Sequence, residues 1–119
     1  MTTIEVAKRL VELVKDQKHD QAMDELYHPE IISIEPVGDV REVQGIDACK
    51  KKGEGFSSMF DVNGSEVLGP YPHDDKFTVH YNYDVTAKEG GHRFNMMEIA
   101  LYQVKDGKIV WEKFFYDIS

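Results

Sequence analysis

The chain has 119 residues, 41% of them hydrophobic and 30% charged, a balance that suits one globular domain over residues 1–119 and excludes disorder. Its formal net charge of −8 argues against nucleic acid and anionic membrane as partners, since both attract basic surfaces. Cys49 has no second cysteine to pair with, and no apolar run follows Met1, so a cytoplasmic protein is expected, with no disulfide and no membrane span.

Apolar positions at Ile4, Ala7, Leu10, Val11 and Val14 predict a first helix over residues 3–16, with Thr3 as its N-cap. A second, short helix is expected from Asp20 to Tyr27, burying Ala22, Met23, Leu26 and Tyr27. The first strand is Ile31 to Glu35, stopped by Pro36, which has no N–H to give a sheet and holds the residue before it extended. Residues 37–43 read as a turn and a short edge strand. Gly45-Ile46-Asp47 opens a third helix whose later face offers Phe56, Met59 and Phe60. Gly53 and Gly55 weaken it by up to about 1 kcal/mol each relative to alanine, so a kink or break is expected there. Lys50-Lys51-Lys52 on this helix reads as a solvated basic face.

From residue 62 the period changes to two. Strands are expected at about 63–69, 76–87, 92–105 and 108–118, separated by Gly-Pro, Gly-Gly and Asp-Gly punctuation. Helices followed by hairpin-linked strands make an α+β layout, a curved antiparallel sheet with three N-terminal helices packed on its concave face.

Asp106-Gly107 suits a two-residue type I′ turn that pairs Lys105 with Lys108 and sets the last hairpin's register. Without a bulge, Met96, Glu98, Ala100, Tyr102 and Val104 then share a face with Ile109, Trp111, Lys113, Phe115 and Asp117. Phe77, Val79, Tyr81, Tyr83 and Val85 join them, and this apolar, aromatic face is the expected concave side. Charges in a dry interior cost several kcal/mol each unless paired or hydrated. Glu98 and Lys113 therefore read either as a self-satisfied ion pair or, with Glu35 and Asp117, as the polar groups of a small-molecule pocket. The expected ligand-binding residues are Tyr81, Tyr83, Met96, Trp111, Lys113 and Phe115, and the candidate catalytic carboxylates are Glu35, Glu98 and Asp117.

Tyr27-x-Pro29, the apolar run Ile31–Ile34 and Glu35-Pro36 resemble the nuclear transport factor 2-like proteins, most closely the SnoaL-like and ketosteroid-isomerase-like members. The order of elements agrees with that resemblance over essentially the whole chain, as does the closing Asp106-Gly107 hairpin. The resemblance implies a cone-shaped fold that hosts both enzymes and binding modules. In the isomerases an Asp-Pro in this context carries the general base; Glu35 is one methylene longer. Those enzymes also use a first-helix tyrosine, and Arg9-Leu10-Val11-Glu12-Leu13 has none. Asp117 falls where limonene-epoxide-hydrolase-like relatives carry an acid, but Lys113 stands where an arginine would be wanted and cannot donate bidentately. Neither reaction is expected.

His73-Asp74-Asp75 reads as turn chemistry, His19 and His28 lack zinc-ligand spacing, and Cys49 reads as a structural thiol, so no metal or cofactor is expected. Two functions remain. One is a module that binds a small hydrophobic or polar-aromatic ligand; the other is a small isomerase-, cyclase- or hydrolase-like enzyme using Glu35 or Asp117 as base. A homodimer is expected through the convex face, which in this register shows Met97, Ile99, Leu101, Val110, Phe114 and Tyr116. The resemblance implies pairing through the same side.

Overall fold

The computed structural model describes residues 1–117. Helix α1 (Thr3–Lys15) covers the expected stretch, but its N-cap is Thr2 and not Thr3. The side chains of Thr2 and Glu5 satisfy each other's backbone N–H in a capping box. The buried face is Val6, Ala7, Leu10, Val11, Leu13 and Val14, while Ile4 stays exposed. Helix α2 (His19–Leu26) hands over directly to β1 (Tyr27–Ile34), and Tyr27 is its extended C-cap. β2 (Glu42–Gln44) is the short edge strand.

Helix α3 (Ile46–Met59) runs unbroken through Gly53 and Gly55, contrary to the expected kink. Long strands follow: β3 (Phe60–His73), β4 (Lys76–Ala87), β5 (Arg93–Lys105) and β6 (Lys108–Phe115). The expected extension of the last strand to residue 118 lies outside the described residues. β3 exceeds the expected 63–69 because it is an edge strand, where Pro70 and Pro72 need donate to no further neighbour.

The strands form one six-stranded sheet in the order β2-β1-β6-β5-β4-β3. Pairing is antiparallel except between β1 and β6, which run parallel, so the sheet is mixed. α1 lies against β3, β4 and β5; α3 lies against β1, β2 and β3; α2 bridges the other two helices. Phe77, Val79, Tyr81, Ala100, Tyr102 and Ile109 face this helical layer and fuse with it into one core. Phe77 stacks on Tyr102 at a centroid distance of 4.9 Å.

The closing turn forms as expected, with Asp106 and Gly107 both at positive φ (51° and 77°) and Lys105 opposite Lys108. One step later the register departs. Val104 pairs with Ile109, but Gln103 pairs with Trp111, leaving Val110 as an extra residue on β6. A bulge of this kind bends and twists a strand, which a curved sheet requires. Every later side chain on β6 changes face. Trp111, Lys113 and Phe115 now pair with Gln103, Leu101 and Ile99 on the outer face, while Glu112 and Phe114 pair with Tyr102 and Ala100 on the inner one. The expected concave positions of Trp111, Lys113 and Phe115 are thereby overturned, as are the convex positions of Phe114 and Tyr116.

Candidate functional site

The inner face holds a continuous polar network built from β1, β6 and α3. Ile31, Ser33 and Glu35 alternate onto one side of the β1 path, and the Glu35 N–H donates to the Arg41 carbonyl (2.6 Å), which fixes the backbone at the strand's end. In the parallel register Ser33 lies beside Glu112. From α3, Cys49, Lys52 and Phe56 recur at i, i+3 and i+7, so they share the helix face turned to the sheet.

Lys52 Nζ donates to Ser33 Oγ (2.5 Å) and to Glu35 Oε1 (2.8 Å). Ser33 Oγ donates to Glu112 Oε2 (2.6 Å), and the Tyr27 hydroxyl donates to Glu112 Oε1. At the other end the Tyr116 hydroxyl donates to Glu35 Oε2 (3.0 Å). Lys52 also sits 5.1 Å above the Phe114 ring, a cation–π contact. The network therefore runs from the buried Tyr27 through Glu112, Ser33, Lys52 and Glu35 to Tyr116. It opens toward solvent at Lys52 and Glu35, whose side chains are 22% and 21% exposed.

Glu98 stands beside this network with no hydrogen bond to its carboxylate among the described residues. It pairs across strands with Tyr81, next to the Tyr83–Met96 rung. The Tyr81 and Tyr83 rings stack at 5.7 Å, and the Tyr81 hydroxyl is tied to that of Tyr102 (2.8 Å). Burial, then the negative charges of Glu35 and Glu112, push the Glu98 carboxyl up to about 7, with Lys52 opposing. Glu112 is also raised, by burial first, against the lowering effect of Ser33, Tyr27 and Lys52. Burial raises the hydroxyls of Tyr81 and Tyr83 well beyond their ordinary range. It also raises the Cys49 thiol to about 11, so Cys49 is a buried, unreactive thiol.

Of the residues singled out from the sequence, the fold gathers Glu35, Glu98, Tyr81, Tyr83 and Met96 on the inner face. Lys113 is on the outer face, its ammonium 5.4 Å from the Phe115 ring, so the expected Glu98–Lys113 pair does not form. Asp117 is exposed beyond the end of β6. It lines a depression of about 380 Å³ that Leu68, His80, Asn82, Met97, Ile99 and Phe115 border from the outer face and that Tyr81, Glu98 and Tyr116 also border, so Asp117 shares this depression with Glu98 but not with Glu35. Asp74, at φ 59°, makes the tight β3–β4 turn, and Asp75 is bonded to Lys76 and Gln103. Among the described residues no group of three or more His, Cys, Asp or Glu side chains is placed to hold a metal ion.

Five residues of the network escaped the sequence reading as site residues: Tyr27, Ser33, Lys52, Glu112 and Tyr116. Lys52 was legible, because stepping from Cys49 to Phe56 in helical strides passes through it and misses Lys50 and Lys51. Lys50 instead pairs with the exposed Asp24. Glu112 and Tyr116 depend on the bulge at Val110, which no residue type there announces.

Comparison with known proteins agrees with this fold. The sequence model of the SnoaL-like domain family matches residues 1–116. A Mesorhizobium loti protein named as a SnoaL-like polyketide cyclase, with carbohydrate phosphatase as a bracketed second name, shares 36% identity, with 98% of this chain and 100% of that chain covered and a TM-score of 0.92. A nuclear transport factor 2-like protein from Burkholderia thailandensis (18% identity, 98% and 92% covered, TM-score 0.84) has the same fold. So has a Bacillus subtilis protein assigned as an isomerase (13% identity, 98% and 90% covered, TM-score 0.78). Among curated proteins none matches the sequence. With a family match over nearly its whole length and helices packed on a curved mixed sheet, the chain belongs to the SnoaL-like domain family.

Proposed function

We propose that this SnoaL-like domain binds a small, largely apolar molecule bearing an oxygen function, on the inner face of the sheet beside Glu98. The observation that carries the reading is the state of Glu98. It is an inner-face carboxyl without a hydrogen-bond partner among the described residues, raised to about 7, beside the stacked Tyr81 and Tyr83. A protonated carboxyl is a donor and an ionised one an acceptor, so near neutrality Glu98 can meet either a carbonyl or a hydroxyl. Aromatic walls with a few converging polar groups are the usual make-up of such sites. Met96, Phe56 and Phe114 extend the apolar wall. The test is a thermal-shift screen of small oxygenated aromatic and alicyclic compounds against the parent protein, Glu98→Gln and Asp117→Asn. Hits should lose their effect in Glu98→Gln and keep it in Asp117→Asn; the opposite pattern would move the site to the outer face.

A second reading, a small acid–base enzyme of isomerase, cyclase or hydrolase type, is favoured by the same carboxyl. A general base works best with a pKa near the operating pH. Glu98 meets that condition, whereas both oxygens of Glu35 are engaged by Lys52 and Tyr116, and Asp117 is away from the network. The base is accordingly Glu98 rather than Glu35 or Asp117. The Mesorhizobium loti protein is named as a SnoaL-like polyketide cyclase, which fits this class, and in the same name as a carbohydrate phosphatase, which adds nothing to it. Activity on a substrate found by screening should rise with pH about a midpoint near 7 and vanish in Glu98→Gln.

A homodimer through the outer face completes the proposal, in the cytoplasm. After the register change that face shows Met97 (71% exposed), Leu68, Ile99 and Phe115 together with Trp111. Phe115→Glu should split the dimer in sedimentation and leave the fold intact, and a monomeric parent protein at micromolar concentration would end the proposal. No helix among the described residues is long and apolar enough to cross a membrane.

A further inference from the structure

Helix α3 carries Gly53-Glu54-Gly55 in its interior, and neither glycine is there to avoid a clash. Both positions are exposed, and a Cβ at either would meet no atom within 4 Å. Glycine weakens a helix interior because it has more backbone freedom to lose on folding. This weakness is confined to one turn between two anchored ends. On the N-terminal side Cys49 is buried and Lys52 is held by Ser33 and Glu35. On the C-terminal side the Met59 carbonyl accepts from the Lys88 N–H (2.9 Å), and Phe60 begins β3. Between the anchors Ser57 and Ser58 are exposed, and Phe56 alone is partly buried. Its ring packs on Phe60 (centroids 5.2 Å) and on Tyr83 (6.1 Å). Tyr83 in turn stacks on Tyr81, the cross-strand neighbour of Glu98.

We propose that residues 53–59 form a strap over the Tyr83 end of the inner face, which unwinds at Gly53 and Gly55 and lifts Phe56 off Tyr83 to admit the ligand there. A segment with one partly buried side chain between two fixed points opens far more readily than the whole fold unfolds. Lys52 lies outside the unwinding turn, so the polar network stays assembled while the aromatic wall parts. The role in admission rests on the inner face being the ligand site; the opening itself is measured without any ligand.

Hydrogen exchange of the full chain should show amides 55–59 exchanging at least about tenfold faster than amides 49–52 of the same helix. Gly53→Ala with Gly55→Ala should slow amides 55–59 by roughly thirtyfold and leave 49–52 little changed. In a Tyr83→Trp, Trp111→Phe background the same two alanines should reduce quenching by acrylamide; the unsubstituted chain supplies the exchange comparison should that background fail to fold. Uniform protection along α3, or exchange and quenching that the alanines leave unchanged, would overturn the strap. A strap that opens as described while no compound acts on the inner face would count against the ligand-site reading alone.

Discussion

Lys52 of α3 and Glu35 at the end of β1 lie 2.8 Å apart, Nζ to Oε1, and the same ammonium reaches Ser33 at 2.5 Å. Through Ser33 it is coupled to the buried Glu112, and its field reaches Glu98. Lys52 is thus the positive charge around which the inner-face carboxylates are arranged, a role the sequence reading had given to Lys113.

Replacing Lys52 should therefore move the titration of Glu98, and replacing Lys113 should not. Lys52 holds the Glu98 carboxyl down against burial and two like charges. In Lys52→Met the Glu98 midpoint, followed by carbon-detected NMR of the carboxyl, should rise above 7, because a nearby cation favours the ionised form. Lys113→Met should leave it in place. A Glu98 titration that responds to Lys113 and ignores Lys52 would mean that the bulge at Val110 is misplaced.

Glu98 also makes stability depend on pH in a stated direction. Its carboxyl titrates at about 7 in the fold against an ordinary 4.5. The folded chain therefore binds the proton more tightly than the unfolded chain, and this contribution to stability falls as pH rises from about 4.5 through 7. The full shift corresponds to about 3 kcal/mol, at about 1.4 kcal/mol per unit. Glu98→Gln should remove that slope. In urea denaturation the variant should equal the parent protein near pH 4.5 and exceed it at pH 8. Parallel stability profiles for the two would refute the desolvated state of Glu98 without a hydrogen-bond partner.

Packing separates two aromatic residues that the sequence reading treated alike. Phe77 is fully buried and stacks on Tyr102, so Phe77→Ala should cost about 3–5 kcal/mol. Trp111 lies half-buried on the outer face, and Trp111→Ala should cost clearly less in the monomer. Denaturation of both variants, at concentrations where the chain is monomeric, checks the order.

The fold was legible because its signals were redundant. The α1 stripe, the Pro36 stop, the Asp106-Gly107 turn and the period-two run after residue 62 each point to the same α+β layout. The site was half legible. Glu35, Glu98, Tyr81, Tyr83 and Met96 lie on elements whose register follows from local pattern. Glu112, Phe114 and Tyr116 do not, because one inserted residue at Val110 reverses every later side chain, and alternation alone carries no record of an insertion. Helix α3 failed differently: two glycines predict a break, yet anchoring at Lys52 and Met59 keeps the helix continuous, so tertiary contacts override propensity.

The central claim is that the ligand meets the Glu98 carboxyl from the inner face, among Phe56, Tyr83 and Met96, and not from the depression that Glu98 shares with Asp117. Chemical-shift mapping of the parent protein with the strongest compound from the screen tests it most directly. The resonances of Phe56, Tyr83, Met96 and Glu98 should move together, and the Glu98 titration midpoint should be displaced by the bound compound. Shifts confined to Met97, Ile99, Phe115 and Asp117, with Glu98 titrating as in the free protein, would contradict the account.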